Sequence, residues 1–342
     1  MSKLKIAVLY GGKSGEHDVS VLSAGSVMEE LDGDKYDVTP VFISREGVWA
    51  LPIDRLRSFD AVFPVLHGPN GEDGAVQGIL TTLAVPFVGA GVVGSAVGMD
   101  KVIFKDVMRA HDLPVTKFIV VRQPEWPARA AEIEIDVITQ LGFPAFVKPA
   151  NMGSSVGISK CASIEQLRAG LDEAFKWDRK VLIEQGVPQA RELEVSVLGN
   201  AELSASVVGE IVPRRAFYDY QAKYFASGAE ESELIVPARI PEPLSVLIRE
   251  TAVEVALHAD VRGMARVDFL MDGANGEIYV SEINTIPGFT SRSMYPRMWQ
   301  ASGLEYGALL DKLIELALED ISESRVLGPE TRTQDSGQGT RD

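Results

Sequence analysis

The chain has 342 residues and carries 33 Lys and Arg against 49 Asp and Glu, a formal net charge of −16 at pH 7. That balance disfavours long-range attraction to nucleic acid or an anionic membrane, so an anionic ligand needs a local basic pocket. With 46% hydrophobic residues the chain can bury a large core split among two or three units, and its single cysteine, Cys161, excludes an internal disulfide and suits a reducing compartment.

The opening MSKLKIAVLYGG holds too brief an apolar run for a signal-peptide core, and no stretch reaches spanning length. A soluble cytoplasmic protein is expected. The first third alternates strand-like runs with amphipathic segments, a βαβ pattern that predicts a mostly parallel sheet with helices packed on it. A first strand ends at Gly11 and Gly12, and the segment after it sets Val21, Ala24, Val27, Met28 and Leu31 on one helical stripe. Strands are predicted at Tyr36 to Ile43 and Asp60 to Leu66, with a short extended piece after Pro86. Gly94 to Ala110 reads as one helix, and Pro114 restarts an extended chain, which places a domain boundary at 1–114.

A smaller α+β unit is predicted over 115–187. Pro144 to Ala150 is a strand, a glycine-rich loop and second strand follow, Ser163 to Gln166 opens a helix as a capping box, and Val181 to Gln185 is another strand. Residues 188–325 mix hairpin strands with a helix from Leu244 to Ala259, while 326–342 lack periodic apolar residues and read as a disordered tail.

Chemistry concentrates in GMARVDFLMDGANGEIYVSEINTIPGFTSRS, residues 263–293. Glu282 and Asn284 are two apart on a strand and share a face, and a hairpin closed around Gly273 to Gly276 brings Asp268 opposite Glu282 to within about one residue. Two carboxylates and a carboxamide converging on one spot suit a hard cation, with magnesium and a nucleotide triphosphate the natural occupants. Arg266 lies on the same face as Asp268.

The loop NMGSSVG, residues 151–157, follows Lys148. Its small residues let backbone N–H groups approach phosphate oxygens, and a lysine on a buried strand calls for an anionic partner. Lys101 is a second candidate for phosphate. Two further loops, 11–20 and 67–74, follow strands of the expected parallel sheet, where ligands collect. Glu16 and His17 are candidate contacts to a small polar substrate, with Ser14 or Asp18 as the alternative, helix-capping reading of that loop. Neither loop carries the dinucleotide fingerprint, which counts against an oxidoreductase. Residues 218–230, with three tyrosines and Lys223, read as a lid that delivers a lysine to a phosphate.

Taken in order, GGKSGEHDVS, HGPNGEDG, GMDK, VKPANMGSSVG, LIEQGV, YDYQAKY, RVDF and SEINTIPGFTSRS resemble the D-alanine:D-alanine ligases of the ATP-grasp superfamily, over nearly the whole chain except the tail. The resemblance implies an α/β fold of three domains, with a parallel βαβ N-terminal domain and two α+β lobes enclosing ATP. It implies Lys101, Lys148 and Lys223 on the phosphates, with Gly153, Ser154 and Ser155 in a loop closing over them. Glu184 and Val187 would bond adenine and Glu192 the ribose, while Asp268, Glu282 and Asn284 would ligate two magnesium ions. Glu16 would hold the ammonium of the first D-alanine and His67 its carboxylate, and Ser293, followed by Met294, would position the second. Glu16, Ser154 and Tyr224 would form a hydrogen-bonded trio, and Arg266 with the Gly288 amide an oxyanion hole.

The implied activity is ATP-dependent ligation of two D-alanines through an acyl phosphate, for peptidoglycan precursor synthesis. A homodimer acting on small molecules is expected. Gln185 stands where many relatives have lysine, and Met294 where others have leucine. The rival readings are a D-alanine:D-lactate ligase, disfavoured by Tyr224, and a non-catalytic nucleotide-binding module, disfavoured by the three metal-capable residues.

Overall fold

The computed structural model describes residues 2–213, 232–290 and 292–326. The lid expected at 218–230, with Lys223 and Tyr224, lies outside the described residues, as does the tail from 327 onward.

The chain opens with β1 (Leu4–Gly11), α1 (His17–Glu30), β2 (Tyr36–Ile43) and β3 (Ala61–Val65). They form a three-stranded sheet in the order β2-β1-β3 with both pairings parallel, as the βαβ pattern predicts. Ile6 to Leu9 are fully buried, because in a parallel sheet both faces of a central strand are covered. The stripe expected on α1 holds at Ala24, Val27, Met28 and Leu31 and is corrected at Val21. Val21 is exposed, and the buried face carries Ser20 and Ser23 alongside Val19, Ala24 and Val27. Those serines are satisfied by the chain around them: Ser20 Oγ accepts from the Gly11 amide at 2.8 Å and donates to the Val65 carbonyl, and Ser23 Oγ accepts from Phe289 N at 3.3 Å. The helix is thereby tied to the ends of β1 and β3 by hydrogen bonds that apolar periodicity does not reveal.

Helices α2 (Ala75–Thr82), α3 (Val92–Met99) and α4 (Lys101–Ala110) follow. The single helix expected over 94–110 is two, broken at Asp100. Asp100 takes an extended conformation and caps α4, its carboxylate accepting from Val102 N and Ile103 N at 3.1 Å each. The segment after Pro86 makes only an isolated parallel bridge, Val62 to Phe87.

A four-stranded sheet of order β4-β7-β5-β6 comes next, from β4 (Phe118–Arg122), β5 (Ala145–Pro149), β6 (Ser159–Cys161) and β7 (Lys180–Gln185). It is backed by α5 (Trp126–Asp136) and α6 (Ile164–Ala174). Helix α5 has no counterpart in the sequence reading. Ser163 Oγ caps α6 by accepting from Gln166 N at 3.4 Å, while Gln166 Oε1 accepts from Ala162 N at 2.7 Å, so the reciprocal bond of a capping box lands one residue early.

The third sheet runs β10-β9-β8-β11-β12, from β8 (Arg191–Gly199), β9 (Ser204–Val212), β10 (Glu233–Ile235), β11 (Gly263–Met271) and β12 (Ile278–Asn284). Helix α7 (Glu242–His258) packs on it through Ile248, Ala252, Val255 and Ala256. Asp268 pairs directly with Glu282, beside a register shift between Asp268 and Phe269. The predicted hairpin is therefore correct at its functional residues. Two last helices, α8 (Met294–Ala301) and α9 (Tyr306–Val326), return to the first sheet, where Leu309, Leu310 and Leu313 share a core with Ile6, Val8 and Phe63.

Candidate active site

The loops after β1 and β3 leave the same end of the first sheet, and Ser14 joins them. Its Oγ donates to the His67 carbonyl at 2.5 Å and accepts from Glu16 N at 3.2 Å. The helix-capping alternative is thus replaced by a loop-to-loop bridge, and Asp18 pairs with Arg45 instead, at 2.6 Å. Glu16 is buried and accepts a hydrogen bond from Ser154 Oγ of the glycine-rich loop. A Cβ at Gly68 or at Gly153 would stand 2.6 Å from Glu16 Oε2, so a side chain at either position would displace the carboxylate from between the loops. His17 does not join the site: its Nδ1 bonds the Gly12 carbonyl at 2.7 Å and its ring packs edge-on against Phe42.

Together these loops, the start of α4, the hairpin β11–β12 and residues 285–288 enclose a polar cavity. Glu16, His67, Lys101, Gly153, Ser154, Arg266, Glu282, Asn284 and Gly288, all candidates from the sequence, line it. So does Glu72, which the sequence reading passed over within its own loop. Burial and the charge of Glu16 push the Glu72 carboxyl up to about 8, against the stabilising Gly68 N–H, which it accepts at 3.1 Å. His67 is buried with Nδ1 3.0 Å from the Ile286 carbonyl, so Nδ1 carries the proton. Its Nε2 has no hydrogen-bond partner among the described residues. Burial, with Arg266 adding to it, pushes the imidazole down to about 4, and the ring is neutral with an acceptor nitrogen in the cavity wall. A substrate carboxylate at that nitrogen must bring a proton to it.

Arg266 donates to both oxygens of Asp268, at 2.7 Å each, and lies 3.1 Å from Glu194. Asn284 Nδ2 donates to Asp268 at 3.1 Å, and Lys101 Nζ stands 3.7 Å from Glu282 while donating to the Met152 carbonyl at 2.7 Å. Asp268, Glu282 and Asn284 do converge. Among the described residues no three His, Cys, Asp or Glu side chains gather as a metal site, and the third donor of this set is a carboxamide. Two carboxylates and a carboxamide oxygen fit magnesium, a hard cation that takes few protein oxygens and completes its shell with phosphate and water.

Next to the cavity, sharing Lys101, Gly153, Ser154 and Glu282 with it, opens a cleft of ≈ 400 Å³ between the second and third sheets. That volume accommodates a nucleotide-sized ligand. Lys148, Ser155, Glu184, Val187, Glu192 and Asp268 line it. Ser154 and Ser155 both adopt left-handed backbone, φ 47° and 62°, a conformation uncommon outside glycine that tightens the loop over the cleft. The anionic partner expected for Lys148 is Glu184 of the chain itself. Glu184 also lies 2.6 Å from Lys105 and accepts from Thr116, neither of which the sequence reading singled out. Burial opposes its ionisation, but Lys105 and Lys148 hold the carboxyl well below the ordinary range.

Ser293 and Met294 line neither space. Ser293 Oγ accepts from Thr290 N at 3.0 Å and would lie 2.8 Å from a Cβ at Gly288, so it supports the Gly288 turn from behind. The Met294 side chain is buried with Ile211 and Met298, in an apolar cluster that packs α8 beneath β9. Its place in the pattern is explained by packing.

Residues 107–315 match the family model for the D-ala D-ala ligase C-terminus, and residues 5–58 and 50–90 that for the N-terminus. The chain is 46% identical to a D-alanine–D-alanine ligase of Thermoanaerobacter sp. (strain X514), covering 94% of this chain and 99% of that protein. The chain belongs to the D-alanine–D-alanine ligase family. It is 44% identical to the corresponding ligase of Heliobacterium modesticaldum, with 95% and 97% of the two chains covered. Among solved structures it resembles the D-alanine-D-alanine ligase from Coxiella burnetii, with TM-score 0.83, 33% identity and 96% and 97% coverage. It also resembles the VanG D-Ala:D-Ser ligase from Enterococcus faecalis, with TM-score 0.81, 34% identity and 92% and 100% coverage. The α/β architecture is the ATP-grasp fold that the motifs imply.

Proposed function

We propose that the chain joins two D-alanines to D-alanyl-D-alanine at the expense of ATP, as a cytoplasmic step toward peptidoglycan. One observation carries the reading: in a chain of this family, a polar cavity lined by Glu16, Glu72, Glu282 and Arg266 adjoins a cleft of nucleotide size that Lys101 and Lys148 line. A carboxylate is a poor electrophile, and the arrangement answers that problem. In the proposed sequence an oxygen of the first D-alanine's carboxylate attacks the γ-phosphorus, ADP leaves, and an acyl phosphate forms. The neutral amine of the second D-alanine attacks the acyl carbon, phosphate leaves with the C–O bond electrons, and the nitrogen gives up one proton to solvent as the amide forms. The protein's part is alignment and charge neutralisation.

In this reading Glu16 takes the ammonium of the first D-alanine and Nε2 of His67, once protonated, takes its carboxylate. Arg266, with the Gly288 amide, faces the oxygen on which charge develops. Lys101 and Lys148 serve the phosphates, joined by Lys223, with Tyr224 completing the trio of Glu16 and Ser154. Val187, Glu184 and Glu192 line the nucleoside end, and Ser293 places the second D-alanine through the Gly288 turn. Asp268, Glu282 and Asn284 would hold two magnesium ions, which supply charge neutralisation on the phosphate oxygens. The three sheets support a division into 1–114, 115–187 and 188–325. A homodimer belongs to the same reading and is testable by sedimentation.

Phosphate release should require Mg²⁺, ATP and D-alanine together, with L-alanine inert and the dipeptide as product. Equal release with L-alanine, or without any amino acid, would overturn the proposal.

A further inference from the structure

Lys105 sits one turn beyond Lys101 on α4, on the same face, yet the two lysines lead to different places. Lys101 reaches the glycine-rich loop and Glu282, while Lys105 points into the protein and is 1% exposed. The Lys105 ammonium has two partners, Glu184 Oε1 at 2.6 Å and Thr116 Oγ1 at 3.0 Å. Thr116 donates onward to the same Glu184 oxygen, and Lys148 binds the other one, Oε2. One buried carboxylate is therefore divided between a lysine that never meets the cleft and a lysine that lines it.

We propose that Lys105 is a positioning residue for nucleotide binding: it keeps the Glu184 carboxylate compensated so that Lys148 is free to turn from Glu184 to a phosphate. The proposal rests on the reading of the cleft as the ATP site. Without Lys105, Lys148 becomes the only cation on Glu184, and each departure of Lys148 toward a phosphate strands an ionised carboxylate in the protein interior, an arrangement that buried charges do not tolerate. Lys105 itself touches neither cavity nor cleft, so its effect on the ligand passes through Glu184 and Lys148. Burial pushes the Lys105 ammonium down, against the pull of Glu184, which fits a cation kept in place by that one carboxylate.

The test is Lys105→Met in the full chain, with the affinity for Mg-ADP measured by titration calorimetry and the KM values for ATP and D-alanine measured separately. Nucleotide affinity should fall by roughly tenfold or more, as when a buried charged partner is removed, with the KM for D-alanine within about twofold of wild type. The decisive arm is Lys105→Met combined with Glu184→Gln. Because Glu184 also lines the nucleoside end, the comparison is with Glu184→Gln alone: once the carboxylate that traps Lys148 is gone, adding Lys105→Met should cost Mg-ADP affinity less than about twofold, whereas a merely structural lysine predicts the same loss with or without Glu184. Should Lys105→Met fail to fold, Thr116→Val, which removes a hydroxyl bonded to both groups, should weaken Mg-ADP in the same direction by a smaller factor. Unchanged nucleotide affinity in the folded variant, or a loss from Lys105→Met that is just as large in the Glu184→Gln background, would refute the role of Lys105. Calorimetry with ADP needs no amino acid, so a wild-type chain that binds ADP but ignores D-alanine would sink the ligase reading and leave this one standing.

Discussion

The polar cavity gathers Glu16, Glu72 and Glu282 against Arg266 and Lys101, whereas the wall of the adjoining cleft surrounds Glu184 with Lys105 and Lys148. The first region has carboxylates in excess, while in the second two lysines share the one carboxylate of Glu184, although the rest of the cleft is lined by Glu192, Glu194, Asp268 and Glu282 besides Lys101 and Lys160. Each lacks what the proposed ligand brings: an ammonium in the cavity, phosphates in the cleft. Glu72, pushed up to about 8 by burial and Glu16, marks the unrelieved negative charge of the first. Burial opposes the charged form of Lys148, yet Glu184 still raises its pKa, which marks how firmly the second holds its cations. Sites for a zwitterion and for a polyanion are thus separated by little more than Ser154 and Lys101.

The comparison breaks most visibly at Arg266, the strongest cation of the cavity. Arg266→Ala should lower kcat by roughly 10² to 10³ while nucleotide affinity changes little, as for loss of one oxyanion donor. A reduced melting temperature with normal turnover would assign it to the Asp268 pairing alone.

His67 gives the next largest effect, in stability. Its folded pKa, about 4, lies below the ordinary 6.5, so between those values the unfolded chain binds a proton that the folded chain refuses. Stability contributed by the neutral ring is full above pH 6.5, falls as the pH drops toward 4, and amounts to on the order of 3 kcal/mol. Urea unfolding of His67→Asn across this window should show a flatter pH dependence than wild type. Substrate should drive the same protonation: D-alanine binding at pH 7 should take up close to one proton, read as a buffer-dependent heat in calorimetry.

Smaller again is Gly153→Ala, whose Cβ would meet Glu16 Oε2 at 2.6 Å. The KM for D-alanine should rise by about tenfold as the carboxylate is displaced, since a misplacement of this size at a binding group is costly. Smallest is Gln185→Lys at the cleft, where a partly exposed charge should change Mg-ADP affinity by less than about threefold. A larger change would mean that a charge at this position is less screened by solvent than its partial exposure indicates.

The pairing of Asp268 with Glu282 was legible to within one residue: a count from the turn between Gly273 and Gly276 puts Asp268 opposite Ser281, and the register shift between Asp268 and Phe269 brings Glu282 there instead. Break points were less so. Asp100 divides α3 from α4, since an aspartate inside an apolar-periodic segment resembles a solvated helical residue until its backbone is seen to be extended. Ser20 and Ser23 were invisible for a related reason, their burial being set by loops distant in sequence. At the site, Lys148 signalled an anionic partner, but nothing local distinguishes a ligand phosphate from Glu184, thirty-odd residues away. Lys105 was missed because an i, i+4 pair of lysines on a helix normally marks a wet face. Met294 stands beside Ser293 in a motif, and the motif alone does not reveal that its side chain serves the packing of α8.

Helix α9 places Leu309, Leu310 and Leu313 in one core with Ile6, Val8 and Phe63 of the first sheet. On the ribosome, the strands made earliest must therefore wait for some of the residues made last. At synthesis rates of about 5 to 20 residues per second, that interval is on the order of tens of seconds, during which one face of the sheet lacks its cover. The nascent chain has to keep this apolar surface from its neighbours, and a message that stops translation before α9 would yield a first sheet with its core left open.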